Sequence, residues 1–165
     1  ILNSAPQPSL HERLFCFIEV IKECFMKNTD IKKIESDIEI YFVTAKSYPD
    51  GIFEAFQKLH SLIPFSEKRN YISVSRPENT QGVVYRAGAS ELEQNDLKKM
   101  GLESLVIPKG NYHCIKIENY KSDVSKIAKA FEELIHQPNI DRNGYCVEWY
   151  INHNDVLCMV KINEG

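Results

Sequence analysis

The chain has 165 residues, 43% of them apolar and 26% charged, the composition of a folded globular protein long enough to bury a sizeable core. Lys and Arg number 20 against 23 Asp and Glu, a net charge of −3, which excludes the broad positive footprint that a nucleic-acid backbone selects. Apolar runs such as Leu14 to Ile18 and Ile40 to Val43 are far shorter than the roughly 20 residues that a membrane span needs.

Five cysteines, Cys16, Cys24, Cys114, Cys146 and Cys158, are odd in number and lack C-x-x-C spacing, so reduced thiols and a cytoplasmic setting are expected. The start shows no basic region followed by an apolar one, hence no secretory leader is read there, and Ile1 in place of methionine suits a portion of a longer protein.

Residues 1–8, with Pro6 and Pro8, form a loose lead-in. Ser9 and Glu12 then make a capping box, and Leu10, Leu14, Ile18, Ile21 and Phe25 recur at helical spacing, predicting a helix over 9–27. Phe15, Phe17 and Val20 widen its apolar stripe, so it must dock on its own domain, on a regulator partner or on a second copy in a homodimer. The boundary is placed at residue 28, with one domain over 29–165.

The run Ile38 to Lys46 reads as a strand. Pro49 and Asp50 start a helix with Ile52, Phe56, Leu59 and Ile63 on one face, ended by Pro64. Strands Asn70 to Arg76 and Gly82 to Ala89 follow across the turn Pro77-Glu78-Asn79-Thr80. The polar stretch 90–101 suits a short helix capped by Ser90 and Glu93 and stopped by Gly101. Leu105 to Ile107 then leads through Pro108-Lys109-Gly110 into a strand from Tyr112 to Glu118, a helix from Asp123 to His136 and a hairpin of Tyr145 to Asn152 with Val156 to Ile162. The order strand, helix, strand, strand thus occurs twice, over about 38–89 and 104–162. Ala55-Phe56 and Leu59 superpose on Ala130-Phe131 and Leu134, and the same offset lays Ile72, Ser73 and Val74 on Val147, Glu148 and Trp149.

Alternation along a strand sends successive side chains to opposite faces. Val147, Trp149 and Ile151 suit burial under a helix, with Cys146, Glu148 and Tyr150 on the other face. Likewise Ile72 and Val74 point inward and Tyr71, Ser73 and Ser75 outward, and His113, Ile115 and Ile117 point to the helix while Tyr112, Cys114 and Lys116 do not. The face away from the helices would then gather tyrosines, small residues and one carboxylate, a surface suited to a cation. Periodicity by itself fits Glu148 better to a solvated strand face than to a pocket.

Ile107-Pro108-x-Gly110 with Tyr112, then a helix, then the strand Glu148-x-Tyr150 and a final apolar strand resemble the gyrase-inhibitor-like effector-binding domain of AraC-type and MerR-type bacterial regulators and their free-standing relatives. The resemblance covers about 38–162. It implies an α+β fold of two pseudo-symmetric strand-helix-strand-strand modules, an antiparallel sheet with helices on one side and a ligand groove on the other. It also implies Glu148 as the contact for a small cationic or amphipathic aromatic ligand, as in multidrug binding, with Tyr150 beside it. Position and alternation add Phe42, Tyr71 and Tyr85. Trp149 is under the helix by parity, or a stacking surface at the groove edge. The function expected is ligand sensing for transcription regulation, with no direct nucleic-acid contact by this chain.

Two alternatives stand beside it. A glutamate with a raised pKa could serve a hydrolase as general base. Helix 9–27 or a sheet edge could make a protein-interaction module, as the gyrase-inhibitor name suggests. Gly-x-Ser-x-Gly, Walker and His-Glu-x-x-His patterns are missing, His113 and Cys114 point to opposite faces, and His11, His60, His113, His136 and His153 lack ligand spacing. No catalytic set, metal or cofactor is expected.

Overall fold

The computed structural model describes residues 29–164; the helix expected over 9–27 lies outside them. Its strands are β1 (Asp30–Ile34), β2 (Ile38–Thr44), β3 (Tyr71–Pro77), β4 (Val83–Ser90), β5 (Glu103–Ile107), β6 (Gly110–Ile117), β7 (Cys146–Tyr150) and β8 (Val156–Lys161). The helices are α1 (Ile52–Leu62) and α2 (Ser125–Leu134). The class is α+β, with all eight strands in one antiparallel sheet that curls into a half-barrel.

Strand order across the sheet is β1-β6-β8-β7-β3-β4-β2-β5. Exchanging β1 with β5, β2 with β6, β3 with β7 and β4 with β8 reads the same order backwards, so the duplication is a two-fold pseudo-symmetry. Each repeat is β-β-α-β-β, one strand longer than the sequence pattern suggests. The extra strands are exchanged: β1 pairs with β6 of the second repeat, and β5 pairs with β2 of the first. Neither exchange is local, and β1 (DIKKI) is mostly charged and exposed, so alternation gives no signal for it.

The pseudo-dyad passes between β3 and β7, where Ser73 stands directly opposite Glu148 and Tyr71 opposite Tyr150. α1 contacts β2 and β4, whereas α2 contacts β6 and β8. Under α1, Ala55, Leu59 and Ile63 join Tyr41, Val43, Tyr85, Ala87 and Ala89 in one core. Under α2, Ala130 and Leu134 join Ile117, Val156, Cys158 and Val160 in another. The other face of the sheet holds a third core, including Ile40, Ile72, Val74, Ile107, Tyr112, Val147 and Met159.

The curled sheet turns around that third core. This reverses the expected faces of the central strands: Val147 and Trp149 lie away from the helices, and Cys146, Glu148 and Tyr150 lie on the helix side. The expected faces of Ile72 and Val74 against Tyr71 are reversed in the same way. On β6 the expectation stands, with Ile115 and Ile117 against α2. Both faces are apolar, so parity in one strand fixes which side chains share a face and leaves open which face carries the helix.

The stretch after β4 is not the capped helix expected from Ser90 and Glu93. The Glu91 carboxylate accepts the backbone N–H groups of Asn95, Leu97 and Lys98, folding the segment into turns that end in a short 3₁₀ piece at Lys98–Met100. Arg69, its side chain 4% exposed, ties this loop to β4 by donating to the Ser90 carbonyl and to Asp96.

Leu59 and Leu134 are fully buried at equivalent positions of the two helices. Leu59→Ala and Leu134→Ala should each cost about 2–5 kcal/mol in chemical denaturation, the range of a buried leucine truncation, and by similar amounts if the halves are equivalent in packing.

Candidate functional site

Because α1 lies over β2 and β4 and α2 over β6 and β8, the central pair β3 and β7 forms the floor of a trough between the helices. Glu148 rises from this floor and is 7% exposed. Its Oε2 accepts two hydrogen bonds, from Tyr85 Oη at 2.8 Å and from Tyr150 Oη at 2.6 Å, and the two hydroxyls stand 3.4 Å apart. Among the described residues no lysine, arginine or histidine pairs with this carboxylate.

Rings close the trough. Phe56 of α1 meets Tyr150 edge-on at 5.6 Å between centroids and Tyr85 at 6.3 Å. Tyr48, from the segment before α1, stacks on Tyr85 at 6.3 Å; Tyr120, from the segment before α2, lies 5.5 Å from Tyr150. Tyr48 and Tyr120 thus occupy corresponding places in the two repeats. Ser73 is fully buried, with its hydroxyl beside that of Tyr85.

Electrostatics follow from this enclosure. Burial raises the pKa of Glu148 above its ordinary 4.5, and the hydroxyls of Tyr150 and Tyr85 pull it part of the way back. Burial and the neighbouring carboxylate push Tyr85 and Tyr150 well above the usual phenol value and raise Tyr48 and Tyr120 in the same sense. Cys146 is pushed up to about 11, first by burial and then by Glu148, and Cys158 is raised by the same causes. These thiols stay protonated near neutral pH and are poor nucleophiles.

Of the residues singled out from sequence, Glu148, Tyr150 and Tyr85 come together here. Tyr71 shares their face but turns toward α1, packed by His60 at 5.3 Å and Phe65 at 5.7 Å, its hydroxyl accepting the Ser66 N–H. Phe42, Tyr112 and Trp149 are not brought to Glu148. Phe42 alternates with Tyr41 and Val43 of the α1 core and lies under the Arg86 guanidinium on the opposite face. Tyr112 and Trp149 belong to the core that the sheet encloses. Sequence reasoning missed Tyr48, Phe56 as a site residue, Tyr120 and Ser73. A tyrosine just before each helix was a usable signal once the repeats were aligned with their connecting segments. Among the described residues no cluster of three or more His, Cys, Asp or Glu could hold a metal, and no helix is long and apolar enough to cross a membrane.

No protein-family model and no curated protein matches the chain. Solved structures do share its fold. An integron cassette protein from the mobile metagenome of Vibrio cholerae superposes with a TM-score of 0.59 at 13% identity, covering 83% of this chain and 97% of that one. A Staphylococcus aureus MU50 protein named for a role in bacterial transcription regulation gives 0.56 at 9% identity, covering 81% and 98%. An uncharacterized conserved protein from Listeria innocua gives 0.55 at 9% identity, covering 89% and 98%. At these identities the likeness is one of fold.

The raised pKa of Glu148 makes the protonated form the one that folding favours. Its contribution is therefore fully present below 4.5 and is lost as pH rises through the elevated folded value. Melting temperature of the unliganded protein should fall across that window. Glu148→Gln should flatten the fall in parallel scans, and an unchanged slope would show that another group governs it.

Proposed function

We propose that the trough binds a small cationic or amphipathic aromatic molecule, with Glu148 as counter-ion and the surrounding rings as walls, and that the chain is the sensor part of a bacterial transcription regulator or a free-standing relative of one. The observation that carries this reading is a buried carboxylate whose partners are two neutral hydroxyls. Burying such a charge is costly, and hydroxyl dipoles offset part of the cost without neutralising it. A cation entering the trough supplies the missing charge.

The rings add to the attraction. An aromatic face draws a cation by roughly 0.5–2 kcal/mol, more as water is removed, and Tyr48, Phe56, Tyr85, Tyr120 and Tyr150 all border the space. Tyr48 is 47% exposed and so is the part of the roof that a ligand meets first. The Ser73 hydroxyl, beside that of Tyr85, offers a further polar contact on the floor. The fold likeness to the Staphylococcus aureus protein agrees with a regulatory setting. In this reading the chain makes no nucleic-acid contact itself, and DNA is reached through an attached segment or partner.

A cation held by Glu148 favours the ionised carboxylate, so affinity rises with pH until the group is fully ionised in the free protein. Aromatic phosphonium ions should raise the melting temperature, neutral aromatic analogues should do so less, and Glu148→Gln should remove most of the cation-specific part. Equal shifts from charged and neutral probes would count against the counter-ion role. The raised pKa also suits a general base on water. Turnover of an ester or strained ring that disappears in Glu148→Gln would move the assignment to hydrolysis.

A further inference from the structure

We infer that a second small-molecule site lies on the opposite face of the sheet from Glu148, in the cavity beside Lys161 and Asp141, and that it takes a small apolar zwitterion of the amino-acid type. The cavity has a volume of about 170 Å³ and is walled by Ile107, Tyr112, Tyr145 and Val147, with Lys161 and Asp141 in its lining. It is on the order of the apolar space known to hold a benzene molecule, but it carries two opposite charges.

The pseudo-symmetry shows what opens it. Register places Ile34 opposite Gly110 and Ile107 opposite Ile38, and it pairs Ile40 with Ser90 and Tyr112 with Lys161. Gly110, Tyr112 and Lys161 therefore correspond to Ile38, Ile40 and Ser90. At the corresponding place in the first repeat stand aliphatic side chains, Ile38 and the buried Ile40, whose Cδ1 closes over Gly88. In the second repeat the isoleucine is replaced by Gly110, and the Lys161 amine occupies the space a side chain would take. A Cβ built on Gly110 would sit 2.7 Å from Lys161 Nζ. The exchange of bulk for a glycine and an amine is confined to one copy of a frame whose backbone is shared.

Chemistry selects the ligand class. Lys161 Nζ lies 5.8 Å from the Tyr112 ring centroid and is ion-paired to no described carboxylate. Glu164, which accepts from Asn111 backbone and side chain, and Asp37, which accepts the Lys109 N–H, do not line the cavity. Asp141 accepts the Asn143 N–H through Oδ1, and its charge is felt at Tyr112, whose hydroxyl is pushed up to about 12 by burial, Asp141 and Asp37. The cavity thus presents a cation and an anion that do not meet each other, with hydrocarbon between the walls. A molecule with a carboxylate, an ammonium and a compact apolar side chain satisfies both charges at once; a single-charge molecule leaves one unmet.

Titration of ¹⁵N-labelled protein with L-leucine tests this, compared with 4-methylpentanoate, which lacks the ammonium, and 3-methylbutylamine, which lacks the carboxylate. Leucine should give saturable shifts of the Gly144, Val147 and Lys161 amides, and each analogue should bind at least about ten-fold more weakly, the loss of one charge-assisted contact. Lys161→Met and Asp141→Asn should each weaken leucine by a similar factor while leaving the amides around Glu148 in place. The comparison of the three probes on the unaltered protein decides the matter even where a variant folds poorly. Analogues that bind as well as leucine, leucine shifts that fail to saturate, or variants that bind it unchanged would overturn the proposal. None of these results bears on the cation site across the sheet.

Discussion

The antiparallel ladder between β3 and β7 is the constraint from which the rest of the architecture follows. It joins the two repeats into one continuous sheet and sets Ser73 against Glu148 at the pseudo-dyad. With α1 over β2 and β4 and α2 over β6 and β8, the centre of the sheet is the strip of that face left between the helices. A side chain at the dyad is thereby buried by both halves and belongs to neither. Shifting the ladder by one residue would send Glu148 to the enclosed face, among Ile72, Val74 and Met159.

The dyad also explains why the site is not symmetric. Directly opposed side chains on an antiparallel pair have Cβ atoms about 4.5–5.5 Å apart. A glutamate at both positions would place two carboxylates together in a poorly solvated trough, and one would have to take up a proton. Serine at position 73 keeps a single negative charge. It also leaves room for the Tyr85 hydroxyl to reach Glu148 from β4, while Tyr150 reaches it from its own strand two residues on. Phe56, contributed by α1, then packs on both tyrosines and holds their rings in place.

Much of this frame is legible in the sequence, because helix periodicity around Leu59 and Leu134, turn residues and alternation are local properties. The duplication was readable for the same reason: Ala55-Phe56 and Ala130-Phe131 sit at one offset from Ser73 and Glu148. What could not be read is what depends on relations between strands. β1 and β5 are exchanged between repeats, and their pairing is set by closure of the sheet rather than by their own pattern. Tyr112 and Glu148 could be assigned to one face only by fixing the phase between β6 and β7 through β8; the register Cys114 to Met159 to Val147 puts them on opposite faces. The aromatic roof was missed because Tyr48 and Tyr120 lie in connecting segments, outside any periodic element.

A duplicated frame makes its own departures informative. Two-fold symmetry supplies each location twice, so a difference between the copies cannot come from the backbone plan and must come from side chains. On the helix face the difference is Ser73 against Glu148; on the enclosed face it is Ile38, Ile40 and Ser90 against Gly110, Tyr112 and Lys161. In both places one copy keeps small or aliphatic groups that serve packing, and the other bears an ionisable group on a wall partly built of tyrosine. Stability alone gives no reason for such a substitution, since a buried or half-buried charge is costlier than the aliphatic group or hydroxyl at the equivalent position. The charged copies are therefore where recognition of a ligand is to be sought, and the apolar copies show what each location looks like when it has only to hold the fold together.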